Sequence, residues 1–320
     1  DSIPTFAEGV RRGAMSALAD DAAGSDGAEP AGAPWLPPGR VVSLPGRGRT
    51  FIRELPGPSP DNGPTVVLLH GLAATADVNW FTAYEALGRR FRVVAMDHRG
   101  HGRGIRTWRP FRLEDCADDV AALADVLGLD RIIPVGYSMG GPIAQLAWRR
   151  HRDRVSGLVL CATARGFASR DPRTRLLVSG LLPLSAAARL TPAGLRNRMA
   201  ETFISTRTQG RPLAEWAAAE FRRGDAATIL QAASAVTRFR SSAWIGEVDV
   251  PTAVVVTARD QLVAPARQLR LAEAIPGSSI HMVEGDHAAC VTAARRFVPA
   301  LVQACTEVAT RAAAQPSAHG

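Results

Sequence analysis

Apolar residues along this chain fall into short continuous runs, separated by longer stretches in which apolar and polar positions recur at helical spacing. The runs are Thr65–Leu69, Phe91–Met96, Ile132–Val135, Val155–Leu160 and Val250–Val256. Such runs suit strands buried on both faces of a sheet. Ser279–Val283 is a last, alternating strand. Between them, Asn79–Arg90, Leu113–Leu127 and Pro142–Trp148 read as helices, and Ala288–Arg311 as a closing helix. Strands alternating with helices predict a mainly parallel sheet with right-handed crossovers. Ahead of this part, Val41–Leu44 and Thr50–Leu55 flank the turn residues Pro45–Arg49, which predicts an antiparallel hairpin.

The alternation stops near Ala164 and resumes near Val250. Between the two, Leu176–Leu190 is apolar and rich in small residues, and Leu195–Phe203, Pro212–Arg222 and Ala226–Thr237 have helical patterns. The expected organisation is an N-terminal extension over 1–34, a core over 35–163, a helical insertion over 164–248, the rest of the core over 249–311, and a disordered tail over 312–320. In the extension, residues 1–19 could form a short amphipathic helix, and Asp20–Pro34 reads as a flexible linker.

Composition changes this picture little. The chain has 320 residues, enough for a full core, with 46% hydrophobic and 21% charged residues. All 38 basic residues are arginine, and the net charge is +8. That charge allows attraction to anionic partners or surfaces. No basic stripe interleaved with aromatics accompanies it, so no nucleic-acid partner is expected. The four cysteines, Cys116, Cys161, Cys290 and Cys305, are too widely spaced for a zinc or redox motif and read as reduced packing residues. No apolar run reaches membrane-spanning length, and no signal-peptide core is seen, so a cytoplasmic location is expected.

The chemistry centres on Gly136-Tyr137-Ser138-Met139-Gly140. An apolar strand runs into it and an amphipathic helix leaves it. Strand, tight turn and helix are the context that makes Gly-x-Ser-x-Gly a nucleophile elbow. The serine sits in a strained turn at a helix N-terminus, and small neighbours let strand and helix approach. Two further residues follow predicted strands. Asp260 comes directly after Val250–Val256, and His287 comes after Ser279–Val283. Asp286 is a competing acid, but its side chain points away from that of its neighbour His287. His98 and His101 lie in the turn Asp97–Gly102 and read as structural.

With these residues in the order Ser138, Asp260, His287, the chain resembles the α/β-hydrolase superfamily, in the group with a helical cap, from about Val41 to Leu301. The resemblance implies an α/β fold, a mainly parallel doubly wound sheet with an inserted helical cap. It implies Ser138 as nucleophile, His287 as base and Asp260 as the residue that orients the imidazole. It also points to the backbone N–H groups of Leu72 and Met139 as an oxyanion hole. His70 and Gly71 would shape that loop and the substrate pocket, and Trp80 would line the acyl pocket or belong to the core.

A serine at this position disfavours the epoxide hydrolases and haloalkane dehalogenases of the fold, which use aspartate there. Acyl transfer through a serine ester remains. The expected substrate is a small-molecule or lipid-like ester or thioester with an apolar acyl group, and no cofactor or metal is expected. C–C bond hydrolysis, acyl transfer to another acceptor and ligand binding without turnover are the alternatives. The arginine excess over 165–240 suits either a basic rim for acyl-CoA or lipid, or ordinary solvated cap helices.

Overall fold

The computed structural model describes residues 33–59, 64–167 and 212–315. The expected N-terminal helix, most of the linker, the stretches 176–190 and 195–203, and residues 316–320 lie outside the described residues. Eight strands form one sheet: β1 (Gly39–Leu44), β2 (Gly48–Leu55), β3 (Thr65–Leu69), β4 (Arg92–Met96), β5 (Ile133–Tyr137), β6 (Leu158–Cys161), β7 (Thr252–Thr257) and β8 (Ser279–Val283). Their order across the sheet is β1-β2-β4-β3-β5-β6-β7-β8. The β1–β2 and β2–β4 pairs are antiparallel, and all others are parallel. The sheet is therefore mostly parallel with helices on both faces, the architecture that the resemblance implies.

The apolar runs occupy the middle of the sheet because both faces there are covered. Every residue of β3, β5, β6 and β7 is buried. Two apolar clusters result, one on each face. One joins Val67, Leu69 and Val254 to Leu123, Ile143 and Trp148. The other joins Val66, Val135 and Val255 to Trp80, Phe297 and Leu301. Edge strand β8 alternates, with Ile280 and Met282 exposed.

The described helices are α1 (Ala76–Trp80), α2 (Tyr84–Gly88), α3 (Leu113–Val126), α4 (Gly140–Arg150), α5 (Pro212–Arg222), α6 (Ala226–Arg238), α7 (Pro265–Ala274), α8 (Ala289–Thr292) and α9 (Ala294–Ala313). The expected helix over Asn79–Arg90 is two short helices. The hydroxyl of Thr75 accepts from the Val78 N–H and starts α1 earlier, and a turn at Phe81–Ala83 separates it from α2. The closing helix likewise breaks at Ala293, and α9 runs on to Ala313. Helix α7 was not expected. Proline opens it at the first turn, where a missing N–H costs nothing.

Helices α5 and α6 rest on the loops at the C-terminal ends of β3 and β4. Arg103 lies 3.5 Å from Glu220, and the Asp225 N–H donates to the Gly100 carbonyl. The Phe111 N–H donates to Gln231, and Phe81 meets Trp216 edge to face. Burial raises the Glu220 carboxyl above its ordinary range, opposed by Arg103 and Arg223. No helix among the described residues is long and apolar enough to cross a membrane.

Candidate active site

The sharp turn after β5 has a local cause. A side chain on Gly136 would come within 2.2 Å of the Gly140 carbonyl, and one on Gly140 within 2.1 Å of the Leu69 carbonyl. Only glycine lets the strand, the turn and α4 pack this closely. Ser138 takes the strain, with φ of 51°. Its carbonyl is held by the Thr163 hydroxyl at 2.8 Å and the Gly141 N–H at 2.9 Å, and its N–H donates to the Cys161 carbonyl. Among the described residues, the other non-glycine positions with positive φ are Ala73 and Ala162. All three follow the C-terminal ends of central strands, β3, β5 and β6. Strain is thus gathered at the one sheet edge where open parallel sheets place their sites.

Three side chains from separate loops meet at this edge. His287 Nε2 lies 2.9 Å from Ser138 Oγ, and its Nδ1 lies 2.7 Å from Asp260 Oδ2. The imidazole is held by its backbone as well, since the Tyr137 hydroxyl donates to the His287 carbonyl at 2.7 Å. Asp260 is buried. Its Oδ1 accepts from the N–H groups of Leu262 and Val263, and its Oδ2 also accepts from the Thr257 hydroxyl. Burial alone would raise this carboxyl. The hydrogen bonds from His287, Val263 and Thr257 outweigh it, and the acid is held below its ordinary range. Asp286, the competing acid, caps the next turn instead, accepting from the Ala288 N–H and the Thr292 hydroxyl.

The loop after β3 closes the other side. Gly71 is wedged between Asn79 Oδ1 and the Cβ of Ser138, each 3.5 Å from where its own Cβ would stand. The Gly71 N–H donates to Asn79. Among the described residues, the N–H groups of Leu72 and Met139 donate to no protein acceptor. His70 is fully buried. Its Nε2 accepts from the His98 N–H, and its Nδ1 faces the Gly71 carbonyl at 2.8 Å. It braces the loop and does not present its ring to a pocket. Of the two readings of Trp80, the structure carries the packing one: the ring is fully buried in an apolar cluster, edge-on to Tyr137 at 6.0 Å. An indole this large fills the space behind the elbow strand.

Sequence reasoning missed Gln268. This amide on α7 is fully buried. It donates to Thr257 Oγ1 at 2.9 Å, to Asp260 Oδ2 at 3.3 Å and to the Val263 carbonyl at 2.7 Å, and it accepts from the Thr257 N–H at 3.0 Å. It thereby ties the end of β7 to the loop that carries Asp260. The available signal was a glutamine three residues past a helix-opening proline, too common a pattern to single out.

The chain is similar to known proteins. The family model described as alpha/beta hydrolase fold matches residues 64–294. A protein named putative carbamate hydrolase RutD from Caulobacter sp. (strain K31) is 30% identical over 265 residues, covering 77% of this chain and 91% of its own length. One of the same name from Agrobacterium fabrum is 30% identical over 260 residues, covering 78% and 96%. Among solved structures, the enol-lactonase from Burkholderia xenovorans LB400 superposes with a TM-score of 0.68 at 25% identity, covering 84% of this chain and all of that one.

Proposed function

This chain belongs to the alpha/beta hydrolase fold family, and from that premise we propose that it is a serine hydrolase which cleaves a carboxylic ester or thioester through an acyl-enzyme on Ser138. The observation that carries the reading is the unbroken hydrogen-bonded chain from Ser138 Oγ through His287 to Asp260, at 2.9 and 2.7 Å. Nucleophile, base and orienting acid stand within the reach such a relay needs.

In this reading Ser138 Oγ attacks the substrate carbonyl as His287 Nε2 takes its proton. Asp260 keeps the imidazole proton on Nδ1 and stabilises the imidazolium. The carbonyl oxygen, now an oxyanion, accepts from the N–H groups of Leu72 and Met139, which have no competing acceptor among the described residues. Collapse expels the leaving group with the proton from Nε2. Water then enters by the same route in reverse and releases the acid. Nothing in these steps calls for a cofactor, and the substrate is a small molecule.

A carbamate is the second reading. The names of the relatives at 30% identity favour it, and the chemistry differs only in the nitrogen beside the carbonyl. The test is an acyl-length series of p-nitrophenyl esters with matched aryl carbamates, run on the wild type and on Ser138→Ala. Turnover that Ser138→Ala removes is expected, with the ratio of ester to carbamate choosing between the readings. Equal turnover by the variant would overturn both.

A further inference from the structure

Beside the candidate active site lies a cleft of about 540 Å³ lined by Ala164, Arg165, Gly166, Arg240, Ser242, Arg267 and Arg270. Four of the seven lining residues are arginine and none is acidic. We propose that this cleft is a binding subsite for phosphate groups, adjacent to the acyl site and suited to a ligand that carries more than one phosphate.

Three observations converge on this. The first is how the arginines are held. Several arginines elsewhere are neutralised by carboxylates: Arg92 by Glu54 at 2.6 Å, Arg150 by Asp118 at 2.7 Å, and Arg149 and Arg152 by Glu247. In the cleft, Arg240 donates instead to the backbone carbonyls of Thr237 and Phe239, and Arg270 to that of Ala266. Among the described residues no carboxylate lies within ion-pair reach of Arg165, Arg240 or Arg270. A carbonyl fixes a guanidinium without cancelling its charge, so the remaining N–H groups keep both position and field for an anion.

The second observation is that the cleft joins separate parts of the chain. Arg165 follows β6, Arg240 follows α6, and Arg267 and Arg270 lie on α7. The Ser241 N–H and hydroxyl donate to the Arg165 carbonyl, and the hydroxyl also meets Gln145, which in turn donates to the Ala164 carbonyl. These bonds fasten the two arginine-bearing segments together. Composition alone gives no reason for such a convergence.

The third is position. Ala164 directly follows Thr163, whose hydroxyl holds the Ser138 carbonyl. On the other wall, Gln268 stands between Arg267 and Arg270 in sequence and contacts Asp260. The cleft therefore begins one residue from the nucleophile's support on one side and one residue from the acid's support on the other. The proposal extends this to a ligand whose phosphates sit in the cleft while its acyl group reaches Ser138. This last step rests on the serine hydrolase reading; the binding of phosphate does not.

The experiment has two arms. In the first, free coenzyme A and inorganic pyrophosphate are titrated by calorimetry into the wild type, into Arg165→Gln/Arg240→Gln/Arg270→Gln, and into a control, Arg40→Gln/Arg49→Gln/Arg90→Gln, which removes the same charge from the β1–β2–β4 side. Binding by the wild type and the control, weakened about tenfold or more in the cleft variant, is expected. No binding by the wild type, or equal weakening in cleft variant and control, overturns the proposal. Thermal melts establish that each variant is folded.

In the second arm, kcat/KM is compared for a hexanoyl thioester of coenzyme A and of N-acetylcysteamine, which lacks phosphate. A preference for the coenzyme A ester that collapses in the cleft variant places the phosphates on the substrate's leaving group. Binding without such a preference assigns the cleft to a free phosphorylated ligand. Binding with no turnover of any ester or thioester would sink the serine hydrolase reading and leave the phosphate site standing.

Discussion

The loop that carries Asp260 and the turn that carries His98 and His101 are both buried and polar, yet they treat their polar atoms in opposite ways. Around Asp260, both carboxylate oxygens and the amide of Gln268 are hydrogen-bonded. Around His98, both ring nitrogens lack partners among the described residues, as does Nε2 of His101. The three imidazoles of His70, His98 and His101 instead crowd together, with centroids 4.4 and 5.4 Å from His70. Burial pushes His70 down to about 4 and His101 to about 3, and it holds His98 well below its ordinary value, with the neighbouring rings acting in the same direction. One region stabilises a charge where it is needed. The other keeps three titratable rings neutral and uses them as shaped, loop-bracing bodies.

That contrast can be broken at the charge first. Asp260→Asn keeps the shape but offers His287 an amide, so the imidazole can hold the wrong tautomer. A loss in kcat/KM of about 10³–10⁴-fold is expected, by analogy with the same change in another serine triad. Steady-state kinetics beside a near-UV circular dichroism spectrum measure it. A rate within tenfold of wild type would move the acid elsewhere.

Acid tests the neutral region next. Folded His70 takes a proton only near pH 4, whereas the unfolded side chain takes one near 6.5. Between these values the unfolded chain binds more protons, so stability rises with pH. The contribution is complete above 6.5 and is lost as pH falls toward 4, and toward 3 for His101. For His70 alone the gap corresponds to about 3 kcal/mol. Calorimetric unfolding at pH 5, in buffers of different ionisation enthalpy, should register net proton uptake. The absence of uptake would mean that these rings are already charged in the fold.

The same substitution at two buried polar side chains sharpens the comparison further. Gln268→Leu strands the Thr257 N–H and loosens the Asp260 loop, so a stability loss of about 2 kcal/mol is expected from the unpaired groups. A fall in kcat larger than any change in KM should accompany it, while Gln268→Glu recovers part of the acceptor role. His98→Leu removes two nitrogens that have no hydrogen-bond partner among the described residues, so its effect on stability should stay within about 1 kcal/mol, a gain included. Urea denaturation of both variants reads the pair. Equal costs would erase the distinction.

Much of this was legible because it is written in local pattern. The continuous runs of β3, β5 and β7 announce strands covered on both faces, and Gly136 and Gly140 around Ser138 announce a turn too tight for a side chain. Chain order then placed Asp260 and His287 at the ends of β7 and β8. What was not legible is tertiary. Helix α7 carries Arg267, Arg270 and Glu273, and the buried face is made by only Gln268, Leu271 and Ala272, so its pattern reads as polar. Gln268 matters only because β7 and the Asp260 loop lie beside it. Trp80 read equally as pocket or core, since periodicity cannot tell which side of a strand an indole fills. The arginine cleft was invisible for the same reason, because its residues are separated by some 105 positions (Arg165 to Arg270), in a chain where arginine is common throughout.

The central claim is that Ser138 is a nucleophile activated by His287. The most direct measurement is labelling with a fluorophosphonate probe, located by peptide mass spectrometry, on the wild type, Ser138→Ala and His287→Ala. The account predicts one modified peptide, carrying the adduct on Ser138, absent from Ser138→Ala and slowed by orders of magnitude in His287→Ala. An unlabelled wild type, or a label that persists at full rate in either variant, would contradict it.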